Sequence, residues 1–150
     1  MVQYFTSDGL KKLKDELNEL KTKEMRRIIK LISEAAAFGD LKENSAYHDA
    51  RNMKSFLLGR IEQLEAAIND AVIIEKKKED VVQVGSFVVI LMDDNKESFE
   101  ITSPTESDIL KNKLSYQSPF GSQLMGKKLG EEFSYKMGSK KTKVKVLKIS

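Results

Sequence analysis

Several residue types that support common chemistries are absent or nearly absent from this 150-residue chain. It has no cysteine, which excludes disulfides, thiol nucleophiles and thiolate metal sites. His48 is the only histidine, so we expect a structural or surface role for it, not a histidine-based metal site or a Ser-His-Asp triad. The longest apolar run, 87–92, is far too short to cross a membrane. The N-terminal segment already contains polar and charged residues at Thr6-Ser7-Asp8, where a secretory signal would continue with an apolar stretch. We therefore expect a soluble, cytoplasmic protein with no membrane partner.

Charge is abundant but nearly balanced. Charged residues make up 33% of the chain and apolar residues 40%, yet the formal net charge is only +3. That net charge is too small to identify a nucleic-acid binder by itself. A high charged fraction suits a thin structure with much surface and little interior.

Two stretches of apolar residues at helical spacing dominate the first half of the chain. The upstream stretch comprises Leu10, Leu13, Leu17, Leu20, Met25, Ile28, Ile32 and Ala35. The downstream stretch comprises Tyr47, Ala50, Leu57, Ile61, Leu64, Ile68 and Ala71. If the chain folds back near Leu41, the two seams face each other, with Leu20 against Ile61 and Met25 against Leu57. The pattern predicts an antiparallel coiled-coil hairpin, and one seam paired within the chain favours a monomer.

The two helices have recognisable ends. The first is expected to start near Thr6 or Ser7 and to end at Phe38, because Gly39 terminates helices readily. Asp40 then stands where a second N-cap is needed, and the second helix is predicted to run from about 41 or 42 to 74. The spacing from Leu20 to Met25 is five residues instead of four, which we interpret as a local adjustment of the supercoil.

The second half of the chain changes to the period of β-strands. We predict a coiled-coil hairpin at 1–75, a charged linker at 76–80 and a small, mostly antiparallel β domain at 81–150, hence an α+β protein. Turns are expected at 93–95 and 138–139, and a short helix at 122–125. The predicted strands are 81–84, 87–92, 98–102, 132–136 and 143–149.

The carboxylates of Asp40 and Glu43, at the predicted bend, are the first candidates for chemistry. Magnesium prefers oxygen ligands, and one or two protein carboxylates usually hold it together with waters and substrate phosphates. Two carboxylates on an exposed loop form an incomplete site, which another molecule would have to complete. The alternative is a capping box, with Asp40 as the N-cap and Glu43 at the third helical position. The two interpretations are compatible.

The segment Gly39-Asp40-Leu41-Lys42-Glu43-Asn44, with Ala46-Tyr47-His48 and Ala50-Arg51, closely resembles the tip of bacterial transcript-cleavage factors of the GreA/GreB type. The resemblance covers the whole chain. It includes Ser118-Pro119-Phe120-Gly121, then Leu124-Met125-Gly126-Lys127-Lys128, which resemble the motif of that family's C-terminal domain. The absence of an extended basic or zinc-binding region favours the GreA branch.

The resemblance implies a fold and a function. It implies an FKBP-like C-terminal domain that docks on backtracked bacterial RNA polymerase, while the hairpin enters the secondary channel. Asp40 and Glu43 would then be catalytic and metal-binding residues supplied in trans, sharing Mg²⁺ with the polymerase as it cleaves the nascent RNA 3′ end. The protein would not be an enzyme alone, and the isolated chain would hold no cofactor tightly.

The same resemblance implies two further groups of residues. Candidates to lie near the RNA are Lys30, Lys42, Asn44, Ser45, Tyr47, Arg51 and Lys54. Candidates for polymerase docking are Ser118, Pro119, Phe120, Gly121, Leu124 and Gly126, although the segment 118–121 is also interpreted as a structural turn.

Positive charge beside the tip has two explanations. Folding the hairpin brings Arg26, Arg27, Lys30, Arg51 and Lys54 together, and such a group attracts RNA phosphates. The alternative is a solvated helix face with ion pairs to Glu24 and Glu34. The chain also departs from the family by having Ala35-Ala36-Ala37-Phe38 where relatives often carry an arginine.

Three rival functions remain at this point. A related factor could occupy the same channel and inhibit the polymerase, although this tip resembles the active pattern. A folding helper with a prolyl-isomerase-like domain and a structural coiled-coil adaptor are the others.

Overall fold

A computed structural model describes residues 2–77 and 80–150 of the chain. These residues form two compact units, a helical unit at 11–70 and a globular unit that combines 2–10 with the residues from 71 onward. The segments 2–10 and 71–75, predicted to belong to the hairpin, are therefore part of the globular unit. The predicted linker at 76–80 includes residues 78 and 79, which lie outside the described residues.

The helical unit is a hairpin, as the apolar periodicity predicted. Its first arm contains the part of α1 (Ser7–Glu19) from Lys11 onward, a π-helical turn (Leu20–Glu24) and α2 (Met25–Ala36), and its second arm is α3 (Ser45–Asn69). The seam between the arms buries Ile28, Leu57 and Ile61 together with the partly buried Leu17, Leu20, Met25 and Ile32. The expected partners Leu20 and Ile61, and Met25 and Leu57, thus share one apolar cluster.

The π-helical turn explains the five-residue spacing between Leu20 and Met25. A π-turn accommodates one extra residue without ending the helix, so the side chains on both sides return to the same face. Both residues pack against the buried seam. The prediction that the helix continues is confirmed, but the adjustment is a π-turn instead of a change in the supercoil.

The end of the second helix was predicted wrongly. Helix α3 ends at Asn69, and Ala71–Ile73 forms strand β2, which pairs in parallel with β1 (Gln3–Phe5). The backbone N–H of Ile74 continues this pairing by donating to the carbonyl oxygen of Phe5 at 2.8 Å. The run of β-branched residues after Ala71 fits an extended strand at least as well as a last helical turn.

The globular unit is built on a five-stranded sheet in the order β5-β4-β3-β7-β6. All neighbouring strands are antiparallel except β4 and β5, which are parallel. The strands are β3 (Phe87–Met92), β4 (Asn95–Thr102), β5 (Lys113–Ser115), β6 (Glu132–Met137) and β7 (Lys140–Ile149). The strand predicted at 81–84 is absent, because Val81 forms only an isolated bridge with Lys128.

One face of this sheet carries the core. Its fully buried side chains are Val82, Val88, Ile90, Ile101, Leu124, Val144 and Val146. Leu124 belongs to the short helix α4 (Pro119–Leu124), which starts three residues earlier than predicted. The hairpin turn at Asp93 and Asp94 is confirmed, and both residues adopt positive φ (48° and 66°), as a tight two-residue connection requires. In the described part of the chain, no helix is both long and apolar enough to cross a membrane.

Candidate functional site at the hairpin tip

The loop between α2 and α3 is a tight turn that presents Asp40. The first arm ends as predicted at glycine: Gly39 has φ 79°, and its backbone N–H donates to the carbonyl oxygen of Ala36. Asp40 also lies in the left-handed region at φ 43°, which Asp tolerates better than most residues. The N–H of Glu43 donates to the carbonyl oxygen of Asp40 at 3.2 Å and closes the turn.

The N-cap of α3 is Asn44, so the predicted capping box of Asp40 and Glu43 is wrong. The side-chain oxygen of Asn44 accepts a hydrogen bond from the N–H of Tyr47 at 3.1 Å. Helix α3 therefore begins three or four residues later than predicted, and both carboxylates lie outside it. Their position depends on the loop and not on helix capping.

The Asn44 side chain also forms hydrogen bonds with the end of the first arm. Its amide nitrogen donates to the carbonyl oxygen of Ala35 at 2.6 Å and to that of Gly39 at 3.4 Å. One side chain thus satisfies a carbonyl at the end of α2 while it caps the start of α3. This explains how an exposed loop holds a defined shape.

Replacing Asn44 by alanine is expected to loosen the tip without unfolding the arms. Loss of the cap and of the bonds to Ala35 and Gly39 should cost about 1–2 kcal/mol in the free energy of unfolding. Amide hydrogen exchange at 38–47 should rise more than exchange at 55–65. Asn44→Asp is the matched variant, since it keeps the capping acceptor but loses the donor. Unchanged exchange in both variants would show that Asn44 does not hold the tip.

The carboxylates of Asp40 and Glu43 are exposed and available as ligands. Within the described ranges neither makes an ion pair, and no cluster of three or more His, Asp or Glu side chains could hold a metal ion. Two unpaired carboxylates fit the oxygen preference of Mg²⁺ but fill few of its coordination positions.

The residues that follow the tip support its shape. The Nε2 atom of His48 lies 3.2 Å from the carbonyl oxygen of Lys42, which gives this histidine the structural role expected for it. The half-buried ring of Tyr47 meets the His48 ring edge to face, and the guanidinium of Arg51 lies 5.7 Å from the Tyr47 ring centroid. Ser45 and Lys42 are exposed beside them.

Sequence reasoning overlooked Phe38 as a tip residue. Its side chain is 86% exposed, and Leu41, on the other side of Gly39 and Asp40, is 46% exposed. Their position beside the acidic residues was visible in the sequence. Helical periodicity assigned Phe38 to the end of a helix and gave no reason to examine its exposure.

The basic residues near the tip divide into two groups. Arg27 is hydrogen-bonded to Glu24, which raises the pKa of the Arg27 guanidinium above its ordinary value. The Nζ atom of Lys30 lies 3.8 Å from the Oε1 atom of Glu34. These two form the ion pairs of an ordinary helix face, as the alternative explanation predicted, while Arg51 contacts an aromatic ring. For Lys30, Arg51 and Lys54, and for the neighbouring Arg26, a role near RNA remains a prediction.

The motif at 118–121 is a structural element of the globular unit. Ser118 caps α4 by accepting from the N–H of Gly121 at 3.0 Å, and its hydroxyl donates to the carbonyl oxygen of Ser115 at 2.7 Å. Gly121 and Leu124 are buried, so they cannot form a docking surface themselves. Of the six candidate docking residues, Pro119 and Gly126 are exposed.

Phe120 has a mainly internal role. Its ring packs in an aromatic cluster with Phe99, Phe133 and Tyr135, at centroid distances of 6.0, 6.4 and 4.8 Å. The cluster joins α4 to strands β4 and β6. It therefore holds the segment 118–126 in place.

Comparison with known protein families gives a match for each half of the chain. Residues 3–73 match the family model described as transcription elongation factor, N-terminal, and residues 76–150 match the model for the GreA/GreB C-terminal domain. Transcription elongation factor GreA of Clostridium acetobutylicum is 41% identical over 148 residues, covering 96% of this chain and 94% of that protein. GreA of Caldanaerobacter subterraneus subsp. tengcongensis is 40% identical with the same coverage.

Among solved structures, GreA factor homolog 1 (Gfh1) of Thermus thermophilus is 26% identical, with a TM-score of 0.46 and coverage of 98% of this chain and 97% of that one. The family-model matches together span nearly all of the chain, and the sequence identity to the GreA proteins extends across both units. The chain therefore belongs to the GreA/GreB family of transcription elongation factors.

Proposed function

We propose that this elongation factor binds backtracked bacterial RNA polymerase and stimulates the polymerase to cleave its own nascent RNA near the 3′ end. The hairpin tip would enter the secondary channel and bring Asp40 and Glu43 to the active site. Removal of the displaced 3′ segment would return arrested complexes to elongation.

What supports this proposal is the presence of two exposed carboxylates on the tip loop. Asp40 and Glu43 are exposed, unpaired among the described residues, and held on a loop whose shape Asn44 fixes. Such a pair binds Mg²⁺ weakly by itself but can complete a site whose other ligands come from a second protein and RNA phosphates. The isolated chain is thus not proposed to be an enzyme.

The two carboxylates would have two roles, to bind a metal ion and to orient the attacking water. Magnesium bound there would supply a nucleophile by lowering the pKa of a bound water and would stabilise charge on the reacting oxygens. Asp40, exposed in a turn closed by the bond from the Glu43 N–H, is suited to supply an oxygen ligand. Glu43 has a longer side chain and can also accept a hydrogen bond from the attacking water.

The globular unit would supply affinity for the polymerase. Pro119 and Gly126 are exposed on a segment that Phe120 and Ser118 hold rigidly, so they are the proposed contact points. The residues proposed to lie near the RNA are Lys30, Lys42, Asn44, Ser45, Tyr47, Arg51 and Lys54.

The test is a transcript-cleavage assay with stalled bacterial elongation complexes that carry 3′-labelled RNA. With magnesium, the protein should release short 3′ fragments much faster than the complexes do alone, and it should cleave no RNA without polymerase. Binding to the complexes without any release would contradict the proposal and favour an inhibitor. Cleavage of free RNA by the protein would contradict the view that it is not an enzyme.

A further inference from the structure

Helix α3 carries an uncharged, solvent-exposed stripe on the side that faces away from the other arm. The buried seam of α3 contains Leu57, Ile61 and Leu64, and the stripe lies roughly opposite it around the helix. An open groove of about 590 Å³ runs along it, bordered on one side by Arg60. The α3 stripe comprises Asn52, Ser55, Phe56, Gly59 and Gln63, all exposed.

Two residues of the α3 stripe are unfavourable in a free helix. The side chain of Phe56 is 81% exposed, which leaves a large apolar ring in water. Gly59 lies inside the helix, where glycine is destabilising relative to alanine. A Cβ at Gly59 would meet no described atom within 4 Å, so packing within this chain does not require glycine there. A partner that places a bulky side chain over Gly59 would account for both residues.

The α3 stripe is complementary to itself. Turning α3 end for end about a point between residues 57 and 58 exchanges Phe56 with Gly59 and Asn52 with Gln63. In a twofold-symmetric antiparallel pair of α3 helices, each Phe56 therefore lies over the partner's Gly59, and the same contact occurs twice. The bulky ring and the position without a side chain match in shape.

The amide side chains match in the same register. Oε1 of Gln63 accepts a hydrogen bond from Nη1 of Arg60 at 2.8 Å, which leaves the NH₂ group of Gln63 free to donate outward. Arg60 is itself held by Glu16, with Nε 3.1 Å from Oε1. Asn52 makes no side-chain hydrogen bond within the described part of the chain. The carbonyl oxygen of Asn52 can therefore accept from the partner's Gln63 at each end of the contact.

Charged residues beside the α3 stripe also complement each other. Arg51 and Glu62 are exposed on the same edge of the stripe, but roughly 17 Å of helix separates them, too far for an ion pair within one chain. In the antiparallel pair, Arg51 lies within one helical turn of the partner's Glu62. A parallel pair would instead place Arg51 beside the partner's Arg51, where like charges repel.

We propose that two copies of this chain associate through the α3 stripe as an antiparallel dimer, with each Phe56 packed on the partner's Gly59. A second copy is the favoured occupant because one register matches the apolar, amide and charged positions together. The contact is only about 17 Å long, so it is smaller than a standard interface and the dimer is weak. The seam within each hairpin stays intact, so the dissociated chain is a folded monomer. The proposal does not rest on transcript cleavage.

The test is sedimentation equilibrium of the full chain from about 1 to 500 μM, a range that covers weak association. The wild type should pass from monomer to dimer, and Phe56→Ala should weaken the dimer roughly tenfold or more. Gly59→Leu should weaken it similarly, because the added side chain fills the space for the ring. Non-specific sticking predicts the opposite for Gly59→Leu, which adds exposed apolar surface.

Two sets of variants control for general effects. Phe38→Ala removes a similarly exposed phenylalanine (86%) outside the stripe and should leave dimerisation unchanged. Arg51→Glu and Glu62→Arg should each weaken the dimer, and the double variant should recover most of the loss. Such a recovery requires two chains, since these residues do not meet within one.

The chain has no cysteine, so introduced cysteines report the register directly. A mixture of the single variants Asn52→Cys and Gln63→Cys should form a disulfide-linked dimer faster than either variant alone. Faster linkage of Asn52→Cys with itself would refute the antiparallel arrangement. A monomer over the whole concentration range, or wild-type dimerisation of both Phe56→Ala and Gly59→Leu, would overturn the proposal.

Discussion

Asp40→Asn is expected to reduce factor-stimulated RNA cleavage by roughly 10²-fold or more, with polymerase affinity nearly unchanged. The substitution preserves the size of the side chain, and Asn tolerates the left-handed backbone of this position (φ 43°) at least as well as Asp. The loop should therefore keep its shape. What is lost is the negative charge that makes a carboxylate a stronger Mg²⁺ ligand than a neutral amide oxygen.

Glu43→Gln should act in the same direction, and the double variant should be no more active than the weaker single variant. The matched control is Asp49→Asn, which removes one negative charge from an exposed position in the first turns of α3. The readout is the single-turnover cleavage rate at saturating factor, with affinity measured separately. Full stimulation by the double variant would exclude the carboxylates from the chemistry.

Gly121→Ala is expected to destabilise the globular unit severely, although alanine is the better helix former. A Cβ at this position would lie 1.9 Å from the carbonyl oxygen of Ser115. That carbonyl cannot easily move away, because it accepts bonds from the backbone N–H and the hydroxyl of Ser118. A propensity gain of about 1 kcal/mol is outweighed by overpacking, and we expect a net loss of about 2 kcal/mol or more in the free energy of unfolding.

Gly59→Ala provides the contrast within the same chain. Gly59 lies inside α3, and an added Cβ would meet no atom within 4 Å. Alanine there should raise the free energy of unfolding by about 0.5–1 kcal/mol through helix propensity and reduced chain entropy. Urea titrations followed by circular dichroism would measure both variants. A Gly121→Ala protein as stable as wild type would show that the close approach to Ser115 is not a constraint.

The hairpin could be predicted because its interactions repeat along the sequence. The apolar seam, with residues such as Ile28 and Ile61, gives a helical periodicity that extends over many turns. The five-residue spacing that follows Leu20, where the π-turn lies, can also be seen in the sequence. The sheet strands with alternating burial, such as β7, were predictable for the same reason.

The start of the second helix was not predictable, because Asp40 and Asn44 are both good N-caps. The choice between them depends on the bond from Asn44 to the carbonyl oxygen of Ala35, a contact across the bend. Strands β1 and β2 have three residues each, too few for a period to show.

The dependence of cleavage on magnesium concentration tests the central claim most directly, namely that the tip completes a metal site the polymerase supplies only in part. Cleavage rates of stalled complexes would be measured over a Mg²⁺ titration without factor, with wild type and with Asp40→Asn. Wild type should lower the Mg²⁺ concentration at half-maximal rate, and Asp40→Asn should leave it at the value of polymerase alone. A wild-type factor that raises the maximal rate without changing this midpoint would contradict the claim.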